Sequence, residues 1–221
     1  MKGIRAVLFV VAMFLSLVFV AYAVDATQNP AADSMGQKMG EIKGMMMDSS
    51  AQKGEMKMQI TSTAFKEGDT IPVQYTCDGA EISPPLEFSE VPSGTKSLAP
   101  IADDPDAPMG IWVHWVIYAI PPEMKGLHEN ILKVVSPIAV VDKKEVALMQ
   151  GENSSKDYGY HGPCPPSGVH RYYFKLYALD FMLKFSKEEV VKGVNKEMVL
   201  DRIKGHVLAE ASLMGRYSRK K

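Results

Sequence analysis

The clearest hydrophobic pattern in the chain is an alternation of apolar and polar positions over residues 169–179, which predicts a β-strand. Side chains two apart in a strand point to the same face of a sheet. One face therefore carries His170, Tyr172, Phe174 and Leu176. The opposite face carries Arg171, Tyr173, Lys175 and Tyr177. The preceding residues 159–168 are rich in Gly and Pro, so we predict a stiff loop that leads into this strand.

A second stretch, residues 111–120, is almost wholly apolar and predicts a central strand buried on both faces. The same alternation places one set of side chains on a common face: Trp112, His114, Val116 and Tyr118. A histidine inside such a strand needs a hydrogen-bond partner. The nearest candidates along the chain are the carboxylates of the Asp- and Pro-rich loop 103–108.

Shorter segments have the composition of further strands, at residues 58–65, 71–75, 86–88 and 96–102. Pro100 lies inside the last of these segments, and proline has no N–H to donate to a strand ladder. We therefore predict that the strand containing Pro100 lies at the edge of its sheet or carries a bulge.

After the long strand, the hydrophobic period changes to that of a helix. Ser186 and Glu189 have the spacing of a capping box, which predicts a short helix. Asn195 can cap a second helix, which we predict over residues 196–214 with Gly215 as its terminator.

Strands dominate the folded region and no strand–helix repeat occurs, so the chain is predicted to be mainly β, with antiparallel sheets and peripheral C-terminal helices. Its 221 residues are 46% hydrophobic and 23% charged, with a formal net charge of −1. That balance supplies no basic excess for binding nucleic acid.

The N-terminal part has the features of an export segment. Residues 1–23 combine two early cations, an uncharged apolar run and a small-x-small site, as in a signal peptide. The apolar run approaches the length that spans a bilayer, so an uncleaved anchor is the alternative. We predict a periplasmic or secreted protein in the first case, and a membrane-anchored one with its domain outside the cytoplasm in the second.

Residues 24–57 are rich in Met, Gly, Ser, Gln and Lys and predict a flexible linker, with a Cu(I)-binding tract as the alternative. The folded domain is predicted over residues 58–217, followed by a basic tail at 218–221. The two cysteines, Cys77 and Cys164, lie in the exported part. An even count in an oxidising compartment favours a disulfide, and two separate buried thiols are the alternative.

Two strand-borne histidines, His114 and His170, could meet Tyr172 and the acidic loop in one pocket. Three chemistries stay open on these residues alone. Imidazole and phenol groups can donate hydrogen bonds to a phosphate or carboxylate, two histidines and a carboxylate can ligate zinc, and a histidine can act as the base in a hydrolysis. The chain has no HExxH, GxSxG or Walker motif to decide among them.

Several motifs follow one another over residues 58–217: Thr76-Cys-Asp-Gly79, Ser83-Pro-Pro-Leu86, Asp104-Pro-Asp-Ala-Pro108, Trp112-Val-His-Trp115, Gly162-Pro-Cys-Pro-Pro-Ser-Gly168, His170-Arg-Tyr172 and Tyr177-Ala-Leu-Asp180. Together they resemble the phosphatidylethanolamine-binding protein family, in particular its bacterial and archaeal branch, often labelled Raf kinase inhibitor-like. The resemblance implies an antiparallel Greek-key β-sandwich with a small surface pocket for phosphate-like anions or phospholipid head groups.

The resemblance also implies which residues bind the ligand, namely Asp104, Pro108, His114, Pro163, Pro165, Pro166, His170 and Tyr172. His114 and His170 are expected to donate to the anion, with Asp104 fixing a histidine tautomer. A site of this kind should bind its anion better below the free imidazole pKa of about 6.5. Asp106 and Arg171 are expected to support these residues from behind, with Arg171 pairing with an acid.

The function implied is that of an exported, non-catalytic binding module, which inhibits or regulates a partner protein such as a kinase or protease. We predict no cofactor, no bound metal and no nucleic-acid partner, and membrane contact only through the N-terminal segment. Two alternatives stay open. One is a small phosphoesterase or metal-assisted hydrolase that uses the same His and Asp side chains, and the other is a protease-inhibitor module that docks through the pocket rim.

Overall fold

The computed structural model describes residues 57–219 of the chain. The predicted export segment, the predicted linker except for Lys57, and the last two residues of the tail lie outside this range. Signal cleavage and the Cu(I) alternative therefore stay predictions. Within the described range, no helix is long and apolar enough to cross a bilayer.

The described part contains ten strands and two α-helices. The strands are β1 (Gln59–Thr61), β2 (Leu86–Ser89), β3 (Ser97–Asp104), β4 (Trp112–Tyr118), β5 (Gly126–Leu127), β6 (Ile138–Val141), β7 (Lys144–Ala147), β8 (Met149–Gln150), β9 (His170–Leu179) and β10 (Val207–Tyr217). The helices are α1 (Lys187–Lys192) and α2 (Lys196–Ile203).

All strand pairs are antiparallel, in three sheets. The largest has the order β10-β9-β3-β4-β8, a smaller one has the order β1-β2-β5, and β6 and β7 form a hairpin. The main core lies between the two larger sheets, where Ile60 and Phe88 of the small sheet join Trp115 and Phe174 of the large sheet in one apolar cluster. The predicted mainly β sandwich is confirmed, and β4 is buried from Val113 to Tyr118, while its first residue, Trp112, is exposed.

A second apolar cluster fills the space between the opposite face of the large sheet and the helices. Val199 and Ile203 of α2 pack there against Ile101 of β3. The predicted capping box at the start of α1 is confirmed, because the Ser186 hydroxyl accepts from the Glu189 N–H while the Glu189 carboxylate accepts from the Ser186 N–H. The long β9 is also confirmed, with its two faces divided as the alternation predicts.

The predicted helix over residues 196–214 is wrong in its second half. Helix α2 ends at Ile203, Gly205 turns the chain with φ of +79°, and β10 follows from Val207. A left-handed residue interrupts a helix, and glycine adopts that conformation without steric cost. Gly215, predicted as the helix terminator, instead lies in β10, where an added Cβ would come within 2.5 Å of the Ile71 side chain.

Two shorter predictions also need correction. The strand predicted at residues 71–75 is a 3-10 turn, Val73–Tyr75, entered through Pro72. The strand that contains Pro100 is central rather than at an edge, since β3 lies between β9 and β4. The ladder to β4 is interrupted beside the proline, where Ala99 and Pro100 have no paired residue on β4. The alternative prediction of an irregular ladder is therefore the one that the structure shows.

Candidate functional site

A cavity of about 320 Å³ opens where the ends of β3, β4 and β9 meet. Its wall contains seven of the eight predicted ligand-binding residues: Asp104, Pro108, His114, Pro165, Pro166, His170 and Tyr172. The eighth, Pro163, is not part of the wall, and its carbonyl instead accepts a hydrogen bond from the Cys77 N–H at 3.2 Å. Further residues complete the wall without having been predicted for it: Ala107, Met109, Trp112, His161 and Cys164.

An irregularity in β4 turns His114 toward this cavity. The consecutive β3 residues Ala102 and Asp103 pair with Trp115 and Val113, which leaves His114 as an extra residue on β4. An extra residue of this kind, a β-bulge, shifts the alternation of side chains by one position. The predicted common face of β4 is therefore wrong. Trp112 and His114 line the cavity, whereas Val116 and Tyr118 belong to the core under the helices.

The backbone holds His114 in one tautomer. Its Nδ1 lies 2.6 Å from the carbonyl oxygen of His161, and because a carbonyl only accepts, Nδ1 carries the proton. Burial lowers the pKa of His114 to about 4. The ring is therefore neutral at neutral pH, with a lone pair and no proton on Nε2. The prediction that His114 donates to an anion is wrong for this state, because its only N–H is already bound to the backbone.

Asp104 orients the second histidine. Nδ1 of His170 lies 2.7 Å from Oδ2 of Asp104, and both side chains are buried. The other carboxylate oxygen of Asp104 accepts the backbone N–H of Asp106 at 2.8 Å. Both carboxylate oxygens are thus engaged, and Nε2 is the ring nitrogen of His170 left for a ligand. This geometry fits the predicted role of Asp104 as the residue that fixes a histidine tautomer.

The hydroxyl of Tyr172 is buried and has no hydrogen-bond partner within residues 57–219. The Tyr172 ring meets His114 edge-on, with centroids 5.1 Å apart, and lies nearly parallel to His170 at 6.5 Å. Burial raises the pKa of Tyr172, so its hydroxyl keeps its proton. A buried donor without a partner costs about 1–3 kcal/mol, and a ligand oxygen at this wall would recover part of that cost.

A disulfide ties together the two loops at the cavity rim. Cys77 and Cys164 are bonded with an S–S distance of 2.06 Å and Cα atoms 5.4 Å apart. Beside the bond, the Gly162 N–H donates to the Glu81 carboxylate at 3.1 Å. Cys164 also lines the cavity, so the disulfide forms part of the cavity wall. The structure thus shows the bonded cysteines rather than the alternative of separate thiols.

Arg171, on the opposite face of β9, braces the acidic loop. Its guanidinium makes a two-point contact with the Asp106 carboxylate, Nε to Oδ2 at 2.9 Å and Nη2 to Oδ1 at 2.6 Å. The Arg171 backbone N–H also donates to Asp106 Oδ2 at 2.9 Å. These hydrogen bonds lower the pKa of Asp106 to about 2. The supporting position predicted for both residues is therefore the one that they occupy.

This pair should give an acid-dependent contribution to stability. The Asp106 pKa falls from 3.8 to about 2 on folding, so the stabilisation is fully present above about pH 4 and is lost as the pH falls through about 2. The pair is solvent-exposed, so the Asp106→Asn change should cost less than about 1 kcal/mol at neutral pH. Urea unfolding at a series of pH values should show a flatter acid limb for this variant than for wild type. The exposed Asp142→Asn serves as control, and an unchanged acid limb in Asp106→Asn contradicts the assignment.

The sequence marks the wall residues that were not predicted to different degrees. Trp112 shares the alternating positions of His114, so its place in the cavity wall could have been inferred from that pattern. His161 comes next to His114 only in the folded chain. It lies 47 residues away in the sequence, and its carbonyl oxygen holds the tautomer of His114. No periodicity in the sequence marks Ala107 or Met109, which belong to the loop between β3 and β4.

The described residues also form other concave surfaces. A larger groove, about 750 Å³, lies between β1 and β10, and its lining contains neither histidine nor cysteine. Within residues 57–219, no group of three or more His, Cys, Asp or Glu side chains is placed to hold a metal ion. The cavity between β3, β4 and β9 is therefore the candidate functional site, and we call it the histidine cavity.

Comparison with known proteins identifies the family. The family model described as phosphatidylethanolamine-binding protein matches residues 61–218. The chain belongs to the phosphatidylethanolamine-binding protein family. A UPF0098 protein of Methanothermobacter thermautotrophicus is 50% identical over 162 residues, which cover 73% of this chain and 99% of the relative. A UPF0098 protein of Chlamydia muridarum is 44% identical over 165 residues, which cover 72% of this chain and 98% of the relative.

Solved structures of family members have the same fold. The phosphatidylethanolamine-binding protein homologue CT736 of Chlamydia trachomatis superposes with a TM-score of 0.63 at 42% identity, over 74% of this chain and 99% of that one. E. coli YbcL superposes with a TM-score of 0.63 at 29% identity, over the same shares of the two chains. These matches agree with the recognition of a bacterial or archaeal member, and family membership supports a binding type of module.

Proposed function

We propose that this protein is an exported, non-catalytic binding module whose histidine cavity takes a small phosphate-like anion or the head group of a phospholipid. One observation carries the proposal: two oriented imidazoles and Tyr172, whose buried hydroxyl has no partner among the described residues, line the same small cavity. Buried polar groups in folded proteins are hydrogen-bonded as a rule, so such a hydroxyl favours a bound polar ligand.

The charges around the cavity are compatible with an anion. Asp104 contributes a carboxylate, but both of its oxygens already accept hydrogen bonds, one from His170 and one from the Asp106 N–H. Arg171 neutralises the Asp106 carboxylate behind the loop. The remaining polar side-chain groups of the wall residues are the imidazoles of His114, His161 and His170, the indole N–H of Trp112 and the Tyr172 hydroxyl. They are enough to orient a small tetrahedral group, and the proline side chains shape the rest of the wall.

Two further features support a binding role outside the cytoplasm. General bases work best with a pKa near the working pH, and the pKa of His114, about 4, makes it a weak base at neutral pH. The Cys77–Cys164 bond suits an oxidising compartment, in keeping with the predicted export segment. Regulation of a partner protein through the cavity rim is the physiological role that we propose for a ligand-binding module of this kind.

The Tyr172→Phe variant tests the proposal. Loss of an unpartnered hydroxyl should leave the free energy of unfolding unchanged or raise it by up to about 1 kcal/mol, while the affinity for inorganic phosphate should fall about tenfold. Calorimetric titration of the full chain with phosphate measures affinity, and urea unfolding measures stability.

Tyr118→Phe is the matched control, because the Tyr118 hydroxyl is also buried without a partner within residues 57–219 but lies outside the histidine cavity. It should reproduce the stability effect and leave the phosphate affinity unchanged. Equal phosphate affinity in Tyr172→Phe and wild type, or no saturable phosphate binding to the wild type, would overturn the proposed function.

A further inference from the structure

The rim of the histidine cavity changes character at Cys164. The residues before it are fixed by hydrogen bonds that involve no sulfur atom. The His161 N–H donates to the His114 carbonyl at 2.8 Å, and the Gly162 N–H donates to the Glu81 carboxylate at 3.1 Å. This part of the rim is therefore held in place whether or not the disulfide is present.

The residues from Cys164 onward lack that support. Within the described chain, no hydrogen bond joins residues 164–169, which we call the rim segment, to any other residue. Residues 166–169 are all exposed, and a Cβ added to Gly168 would meet no atom within 4 Å. In the part of the chain that the structure describes, the bond to Cys77 is thus the only crosslink or hydrogen bond that fixes the rim segment before β9 begins.

The rim segment also forms part of the cavity wall, through Cys164, Pro165 and Pro166. Consecutive prolines fix the backbone angle φ and stiffen the chain. Gly168 follows them with φ of +73°, a conformation that glycine adopts without steric cost and can leave as easily. A stiff segment with a glycine at its end can move as one unit, so its position sets the width of the cavity mouth.

We propose that the Cys77–Cys164 bond is a redox switch: the bonded protein holds the rim segment against the histidine cavity, and the reduced protein releases the segment and binds anions more weakly. The effect on binding rests on the proposed function and adds a regulation of the same site. Other contacts hold the imidazoles of His114 and His170, so reduction leaves both rings in place and removes only part of the wall.

The switch opens by thiol–disulfide exchange with a dithiol, which supplies both electrons and both protons. Cys164 is the more exposed cysteine, so a thiolate of the dithiol attacks its Sγ, and Cys77 leaves as a thiolate that takes up a proton. The second thiol of the dithiol then attacks the sulfur that the first contributed to the mixed disulfide. Cys164 is released as a thiol, and the dithiol becomes a disulfide. Exchange with a disulfide oxidant reverses these steps, so the closed form belongs to an oxidising compartment.

Nuclear magnetic resonance of the full chain tests the switch without a ligand, because Gly162 and Gly168 lie on either side of Cys164. Dithiothreitol should lower the backbone order parameter of Gly168 to below about 0.6, the range of flexible backbone, and leave that of Gly162 at about 0.85. Gly110 is a second control, since its N–H is hydrogen-bonded within the loop between β3 and β4.

Calorimetric titration with inorganic phosphate measures the effect on the cavity. If the closed position falls to about a tenth of the population on reduction, the apparent affinity falls about tenfold. Reoxidation of the wild type should restore it. The double variant Cys77→Ser with Cys164→Ser should bind as weakly as the reduced wild type and should not respond to dithiothreitol.

The outcomes separate the switch from the proposed function. An unchanged order parameter at Gly168, an equal fall at Gly162, or loss of the folded spectrum in both the reduced wild type and the double variant overturns the switch. A fall at Gly168 alone with equal phosphate affinity overturns the control of binding and leaves the anion site standing. If the oxidised protein shows no saturable phosphate binding, the proposed function is overturned, and the order parameters alone decide whether the bond holds the rim segment.

Discussion

Replacing Cys77 and Cys164 together with serine is expected to lower the free energy of unfolding by about 4 kcal/mol. The bond joins residues 87 positions apart, so it removes a large amount of conformational freedom from the unfolded chain. In the chain-entropy account, the stabilisation grows with the length of the closed loop. Denaturant unfolding of the double variant against the oxidised wild type measures the loss.

The same experiment contains its own control, because the wild type unfolded in the presence of a dithiol reductant should match the double serine variant. Hydrogen bonds that do not depend on the sulfur atoms also link the loops, such as the Tyr160 hydroxyl to the Tyr75 carbonyl at 3.0 Å. A loss below about 1 kcal/mol would show that these contacts hold the rim without the bond, contrary to expectation.

The second large effect is expected at a buried ion pair beneath the opposite face of β3. Asp103 is 1% exposed and receives the amine of Lys196, the first residue of α2, which is also buried. Lys175 also reaches the Asp103 carboxylate, at 3.3 Å, from a more exposed position. Lys196→Met should therefore cost about 3 kcal/mol, at the low end for a broken buried pair, because one cation remains.

A double-mutant cycle separates the pair from the packing. Adding Asp103→Asn to Lys196→Met removes the uncompensated charge and should recover a large part of the loss. Lys204→Met is the matched control, since Lys204 pairs with Asp201 at the surface, where ion pairs contribute less than about 1 kcal/mol. Similar losses for the two lysine variants in urea unfolding would show that the buried pair adds nothing beyond a surface pair.

The alternation of apolar and polar residues alone predicted β9 correctly, because the side chains of that strand alternate regularly between its two faces. The same reasoning failed on β4, where one extra residue at His114 reverses the faces beyond it. A bulge depends on the register of the neighbouring strand, and a single strand's sequence does not encode that register. The C-terminal prediction failed for a related reason, because the apolar positions of β10 also fit a helical period and only Gly205 marks the break.

Most residues of the cavity wall could be predicted from motifs. Which of their side chains donate and which accept hydrogen bonds could not. The residue types of Asp104, His114 and His170 are visible in the sequence, and their convergence follows from the family resemblance. The tautomer of His114 depends on one carbonyl of a distant loop, and its pKa depends on burial in the folded chain. Both are tertiary properties, so the expectation that His114 donates to an anion could not be checked before the fold was known.

The position of β10 has a consequence for the order in which the protein matures. β9 lies between β3 and β10, and Tyr217 is paired with His170 at the cavity end of that ladder. Until β10 docks, β9 therefore exposes a bare edge during folding. Unpaired edges invite association with other chains, so the nascent protein is most vulnerable in that interval. No residue of β10 lines the histidine cavity, so the last strand protects the edge of the strand that carries His170 and Tyr172 without forming part of the ligand-binding wall.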